Sequence, residues 1–221
     1  MLYPTDYKAI RIEKRAGGIA LATLDRPDKL NAVDGVMHRE LAELPRAAMA
    51  DREVRVLVIT GAGRAFCAGG DFGGGAPLGG DGGPEAALRE GREIVENLLD
   101  CEKPVVSAVN GYAMGLGATV ALLADVVVAA RSAVFADTHV RMGIGAGDGG
   151  QVIWPLLMGV NRAKYFLMTG DRLPAAEAER LGLVNFVVDD ADLLPRALEI
   201  ATRLAEGPAQ AIAASKVPIN R

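Results

Sequence analysis

His139 and Asp148 lie nine residues apart in the stretch FADTHVRMGIGAGDGGQ, and their types suit proton transfer. If the glycine-rich loop between them folds back, Asp148 accepts from one imidazole nitrogen, fixes the tautomer and raises the His139 pKa. The other nitrogen then faces a substrate as a general base near neutrality. Spacing alone leaves a second reading open, in which the histidine is structural and the aspartate forms a turn. Two further segments offer electrophilic help. GRAFCAGGD (63–71) follows the apolar run VRVLVIT, and NGYAMGLGA (110–118) follows VVSAV. Small residues at such corners leave backbone N–H groups accessible, and a helix starting there adds a positive dipole. Two N–H groups aimed at one point form an oxyanion hole. The same letters also satisfy two ordinary tight turns.

Other chemistries fit less well. Gly145–Gly150 spells G-x-G-x-x-G with Asp171 downstream, but a dinucleotide site needs a strand immediately before it and an unbroken helix after it. Charged Arg141 and early Pro155 oppose both. Cys67, beside the first glycine corner, is a conceivable nucleophile for His139, although buried free cysteines are common. Two cysteines and two histidines make neither a disulfide framework nor an ordinary zinc site, so no metal is expected. A net charge of −4 with 5% aromatics argues against nucleic acid as a partner. The N-terminus shows no signal-peptide core, and a reduced cytoplasmic setting is expected. Between Pro104 and Ala130 the only charge is Asp125, yet Asn110-Gly111, Gly115 and Gly117 punctuate the run. It reads as a buried strand–helix–strand unit rather than a membrane span.

The elements that must position these residues follow from periodicity. Ile10–Glu13 and Gly18–Leu24 alternate like paired strands, Val54–Thr60 suits a strand buried on both faces, and Val105–Val109 and Val126–Ala129 repeat that character. A helix is expected after Asp34, interrupted at Pro45, and others over 85–100, Asn161–Thr169, Pro174–Leu181, from Leu194 onward, and Pro208–Lys216. Gly170 and Gly182 stand where C-caps belong. The glycine-heavy stretch 61–83 is long enough to be functional. Alternating strands and helices indicate a single α/β domain spanning 1–221, with its core at about 8–190 and C-terminal helices over 191–221.

Four motifs in order, RPDKLNA (26–32), AFCAGGD (65–71), KPVVSAVNGYAMGLGA (103–118) and the long 132–188 stretch, resemble the crotonase superfamily, the enoyl-CoA hydratase/isomerase family. The resemblance implies a crotonase-like β-β-α spiral with surrounding helices, in subunits that form homotrimers or dimers of trimers. It implies an acyl-CoA substrate, with coenzyme A as part of the substrate and no permanently bound cofactor. It places the oxyanion donors at the backbone N–H of Gly70 and Leu116. It also places Ala68 where a carbonyl meets the CoA adenine, and Arg26 and Lys29 near the CoA phosphates; Asp71 is expected to orient the loop. Neither glutamate of the family's hydratases is present: Thr119 and His139 stand at those positions. The His139/Asp148 pair also resembles the β-diketone hydrolase branch, such as 6-oxocamphor hydrolase, which cleaves a carbon–carbon bond without CoA. The leading expectation is an enoyl-CoA hydratase/isomerase-type lyase using His139 and Asp148. A diketone hydrolase and a catalytically weak acyl-CoA-binding member are the alternatives. Family members usually continue with further helices, so the C-terminal helical module is expected to be incomplete at Arg221.

Overall fold

A computed structural model describes residues 7–71 and 83–220. β1 (Ile10–Arg15) and β2 (Ile19–Leu24) form the expected antiparallel hairpin, with Ile10 opposite Leu24. The buried Glu40 carboxylate holds its start by accepting the N–H groups of Lys8, Ala9 and Ile10. α1 (Gly35–Ala50) begins where the sequence indicates, and Asp34 caps it by accepting from Val36 N and Met37 N at 3.1 and 2.9 Å. The interruption expected at Pro45 does not occur. Met37, Leu41, Leu44 and Ala48 keep one apolar stripe running past the proline, itself buried, so tertiary packing carries the helix through the lost donor.

The β-branched runs become β3 (Val56–Gly61), β5 (Val105–Val109) and β7 (Val126–Ala130). Among the described residues they lie in a six-stranded sheet ordered β1-β2-β3-β5-β7-β10, parallel after the first hairpin, where β10 is Phe186–Val188. Each of these three strands turns a corner into a short one. β4 (Ala65–Cys67), β6 (Tyr112–Met114) and β8 (Val134–Ala136) pair in parallel, and β9 (Leu173–Pro174) closes a second, four-stranded sheet. Three successive strand–corner–strand units, stacked in register, are the β-β-α spiral. Asn110 locks two corners together: its Oδ1 accepts from Gly61 N and its Nδ2 donates to Gly63 O and Ala65 O.

Helices enclose the spiral. α2 (Gly83–Leu99) packs on α1, α3 (Leu116–Leu122) follows β6, and α4 (Gly150–Met158) packs on α5 (Val160–Thr169). α6 (Ala175–Leu181) follows β9, while α7 (Leu193–Glu206) lays Ala197, Ala201 and Ala205 against the large sheet. Gly170 and Gly182 adopt the left-handed cap conformation, φ +67° and +90°. α4 was not foreseen, because Pro155 masks its pattern; Ile153, Trp154 and Met158 bury it in the core. α8 (Ala209–Lys216) is tied down by Lys216 Nζ, 2.7 Å from Asp125 Oδ2 and donating to Lys103 O. An apolar groove of about 810 Å³ lies between α4 and α8, beside exposed Leu156 and Ile219. No helix among the described residues is long and apolar enough to cross a membrane.

Candidate active site

The two glycine corners meet. Gly69 has φ +87°, and a Cβ there would lie 2.9 Å from Met114 O and 3.9 Å from Gly115 Cα. A Cβ on Gly117 would lie 2.7 Å from Cys67 Cβ. Side chains at these positions would push the segments apart, so their absence is what brings the residues around Gly70 against the start of α3. Gly70 is held by a parallel bridge to Val33, in which Val33 N donates to Gly69 O and Asp71 N donates to Val33 O. In that pattern the N–H of Gly70 itself points away from Val33. Leu116 is the first residue of α3, where the helix supplies no partner for an N–H.

His139 opens a short 3₁₀ turn (His139–Met142) and packs on the second corner: a Cβ on Gly115 would lie 3.4 Å from His139 Cε1. Both ring nitrogens are engaged. Nε2 is 3.0 Å from Asp148 Oδ2, so the loop does fold back as the sequence suggested. Nδ1 is not free for a substrate. It lies 2.7 Å from Oδ1 of Asp137, which also accepts the His139 backbone N–H at 3.2 Å. Asp137 is fully buried and sequence reasoning missed it. Its signal was available in Asp-x-His, an aspartate placed to accept from the N–H two residues on. Burial pulls the imidazole pKa down, but the two carboxylates outweigh it and hold His139 up at about 10. The ring is therefore a cation at neutral pH. Asp137, His139 and Asp148 place their ligand atoms within 4.8 Å of one another. With both ring nitrogens already on carboxylates, a metal ion there would have to displace the proton.

Gly70, Leu116, His139 and Asp148 line one cavity of about 600 Å³, walled on its far side by α2 through Ala87, Leu88, Gly91 and Val95. The other predicted residues lie around it. Arg26 is committed within the protein: its guanidinium donates to Ala32 O and pairs with Asp71 Oδ2 at 3.1 Å and Asp34 Oδ2 at 3.3 Å. It ties the first corner to the α1 cap rather than presenting a free charge to a phosphate. Lys29 is exposed and Ala68 is half-buried, with its N–H on Leu30 O. Asn31, buried at φ +55°, donates to Ala62 O and Ala65 O and accepts from Arg26 N, so it fixes the turn carrying Lys29. Thr119 is buried in α3 beneath Gly149, away from the cavity lining. Cys67 is buried, which pushes its thiol up to about 12, and that removes it as a nucleophile. Gly145–Gly150 follows the 3₁₀ turn rather than a strand, so the dinucleotide pattern lacks its context.

Residues 14–221 match the family described as enoyl-CoA hydratase/isomerase. The chain is 42% identical to "Probable enoyl-CoA hydratase" of Rhodobacter capsulatus over 95% of this chain and 80% of that protein. It is 38% identical to "1,2-epoxyphenylacetyl-CoA isomerase" of Escherichia coli K12, over 92% of this chain and 79% of that protein. Among solved structures, an enoyl-CoA hydratase/isomerase from Mycobacterium paratuberculosis superposes with a TM-score of 0.91 at 42% identity, over 99% of this chain and 86% of that one. A likeness of this extent, in sequence and in the spiral of strands alike, establishes that the chain belongs to the enoyl-CoA hydratase/isomerase family and is an enzyme of that type with the crotonase fold.

Proposed function

We propose that this enzyme acts on an acyl-CoA thioester whose carbonyl oxygen accepts from the backbone N–H groups of Gly70 and Leu116. The observation that carries this reading is the single cavity lined by those two residues together with His139 and Asp148. Negative charge that develops on the thioester oxygen as an enolate is met there by preorganised donors. Relatives named hydratase, dehydratase and isomerase all work on CoA thioesters by their names, which supports the same substrate class here.

The charge on His139 divides the roles differently from the sequence expectation. An imidazole held at about 10 is almost wholly protonated at neutrality and is a poor base. Asp148, on the cavity wall, is the base; His139 is the cation paired with it, and Asp137 holds His139. For hydration, Asp148 takes a proton from water as the water oxygen bonds to the β carbon. The π electrons pass to the thioester oxygen as the enolate, and the proton returns to the α carbon. For isomerisation, Asp148 removes one carbon-bound proton and returns it two carbons away. The carbonyl of Ala68 and the ammonium of Lys29 hold the CoA portion, while Arg26 positions the first corner. Homotrimers or dimers of trimers remain the expected assembly.

The test is turnover of a panel of enoyl-CoA thioesters with CoA affinity measured in parallel. Asp148→Asn and His139→Ala should each lower kcat by about 10²–10⁴-fold while CoA binding stays within about threefold. Cleavage of a cyclic β-diketone in the absence of CoA, with no thioester turned over, would overturn the assignment.

A further inference from the structure

The cavity has a second histidine that the chemistry above leaves unused. His38 sits one turn into α1, past the Asp34 cap and close to the Val33–Gly70 bridge. Its Nδ1 is 2.8 Å from Glu90 Oε2 on α2, with both side chains more than nine-tenths buried, and Arg39 Nε stands 3.8 Å from the other Glu90 oxygen. A histidine–carboxylate pair between two helices is seldom more stable than well-packed apolar side chains in the same place. Packing alone is therefore a weak reason for its presence.

The free edge of the ring faces the cavity. His38 lines it, and Nε2 has no hydrogen-bond partner among the described residues. The residue opposite is Gly91, where a Cβ would come to 3.9 Å from Nε2 and 4.0 Å from Cε1 and meet nothing else. The lack of a side chain at 91 leaves the nitrogen open. Val95, one turn further along α2 and so roughly 6 Å away, is the residue that touches Gly149 beside Asp148. His38 and the His139–Asp148 pair therefore line the same cavity, bordered by successive turns of α2. Ala87, Leu88, Val95, Leu116, Ile144 and Val152 supply apolar lining, and the Arg92–Glu96 ion pair of α2 also borders the cavity. Arg92 and Glu96 are paired with each other, so the open nitrogen of His38 is a polar group set beside apolar side chains and able to select a ligand by its own hydrogen bond.

We propose that His38, oriented by Glu90, is a specificity-determining residue that binds a hydroxyl on the acyl group, remote from the thioester. In the tautomer whose Nδ1–H donates to the Glu90 carboxylate, Nε2 presents a lone pair, which calls for a hydrogen-bond donor such as a hydroxyl. The substrate class is thus a hydroxylated acyl-CoA, and the inference rests on the thioester reading above.

The experiment compares two enoyl-CoA thioesters of equal chain length, one carrying a distal hydroxyl, and reads the ratio of their kcat/KM values in one protein sample. The wild type should favour the hydroxylated substrate by about tenfold or more, because a site that leaves a buried polar group unpaired rejects the analogue lacking its partner. His38→Leu should bring the ratio to about one, and Glu90→Gln should give an intermediate value, since the ring loses its orienting anion. Should His38→Leu fail to fold, Gly91→Ala keeps the question open to measurement: alanine suits a helix interior, and its methyl group covers Nε2. That variant should lower the ratio several-fold with the melting temperature maintained. A wild-type ratio near one, or a ratio that none of these variants moves, overturns the role of His38 while plain enoyl-CoA turnover still supports the thioester reading. Absence of turnover and of binding for both thioesters overturns the two together.

Discussion

Replacing Asp137 by asparagine tests the charge assignment on which the catalytic roles depend. Asp137 is fully buried and its Oδ1 is 2.7 Å from His139 Nδ1, while Asp148 sits 3.0 Å from Nε2 and is partly exposed. Opposite charges about 4 Å apart attract by about 4 kcal/mol at an effective dielectric constant of about 20. Observed shifts from one such neighbour are about 1–3 pKa units. Asp137→Asn should therefore bring His139 from about 10 to near 8, and Asp148→Asn should have a smaller effect. In the double variant only burial remains, and the pKa should fall below the ordinary 6.5. The ring nitrogen shifts of ¹⁵N-labelled protein report this directly, and with two histidines in the chain a His38 variant settles the assignment. Stability should follow by linkage. A histidine whose folded pKa is raised contributes stability that is fully present below about 6.5 and is lost as the pH rises through about 10, at most about 5 kcal/mol in all. The melting-temperature difference between wild type and His139→Gln should thus shrink across that window. A wild-type His139 that titrates near 6.5, or one indifferent to Asp137→Asn, refutes the assignment and restores His139 as the base.

Other consequences are as direct. Cys67, buried with its thiol pushed up to about 12, should resist an aromatic disulfide reagent at pH 8 until the protein is unfolded; rapid labelling of the native state would show the corner to be open. Lys216→Ala strands the Asp125 carboxylate, already raised by burial, and should lower stability in denaturant titration by about 1–3 kcal/mol; an unchanged midpoint would mean that α8 does not depend on this pair. Gly150→Ala places a methyl group on Asp137 Oδ2, so it should reproduce the fall in the His139 pKa expected for Asp137→Asn; a ring that still titrates at about 10 would show that Asp137 is not held from that side.

Periodicity made the large sheet legible. Val56–Gly61, Val105–Val109 and Val126–Ala130 are buried β-branched runs, and the structure places them side by side. The short second sheet was hidden, because β4, β6 and β8 are three residues each and owe their pairing to the corners before them. In the candidate site, spacing across a glycine loop left the Asp148 contact with His139 as one of two open readings, and the fold of the loop decides for it. The burial of Asp137 was not, since nothing in Asp-x-His says which face of the turn the core will cover. Arg26 looked like a phosphate ligand by charge and motif position, yet Asp34 and Asp71 claim it, and that pairing spans 45 residues between Arg26 and Asp71. His38 and Glu90 are 52 residues apart and meet only because α1 and α2 pack together. Residue type announces what chemistry is possible; long-range packing decides which atoms remain free to do it.

The same physics explains how two carboxylates can share one imidazolium under cover. One cation cannot neutralise two anions, and burial penalises each of them. The second contribution comes from the backbone. Asp137 Oδ2 has no hydrogen-bond partner among the described residues, and a Cβ on Gly150 would fall onto it, so that oxygen rests against the first residue of α4. The opening N–H groups of a helix carry partial positive charge, and an anion placed there is favoured. Gly149, at φ +110°, lets the chain enter α4 close above Thr119. The α4 entry covers Asp137, and Asp137 with Asp148 holds the ring of His139 as a cation.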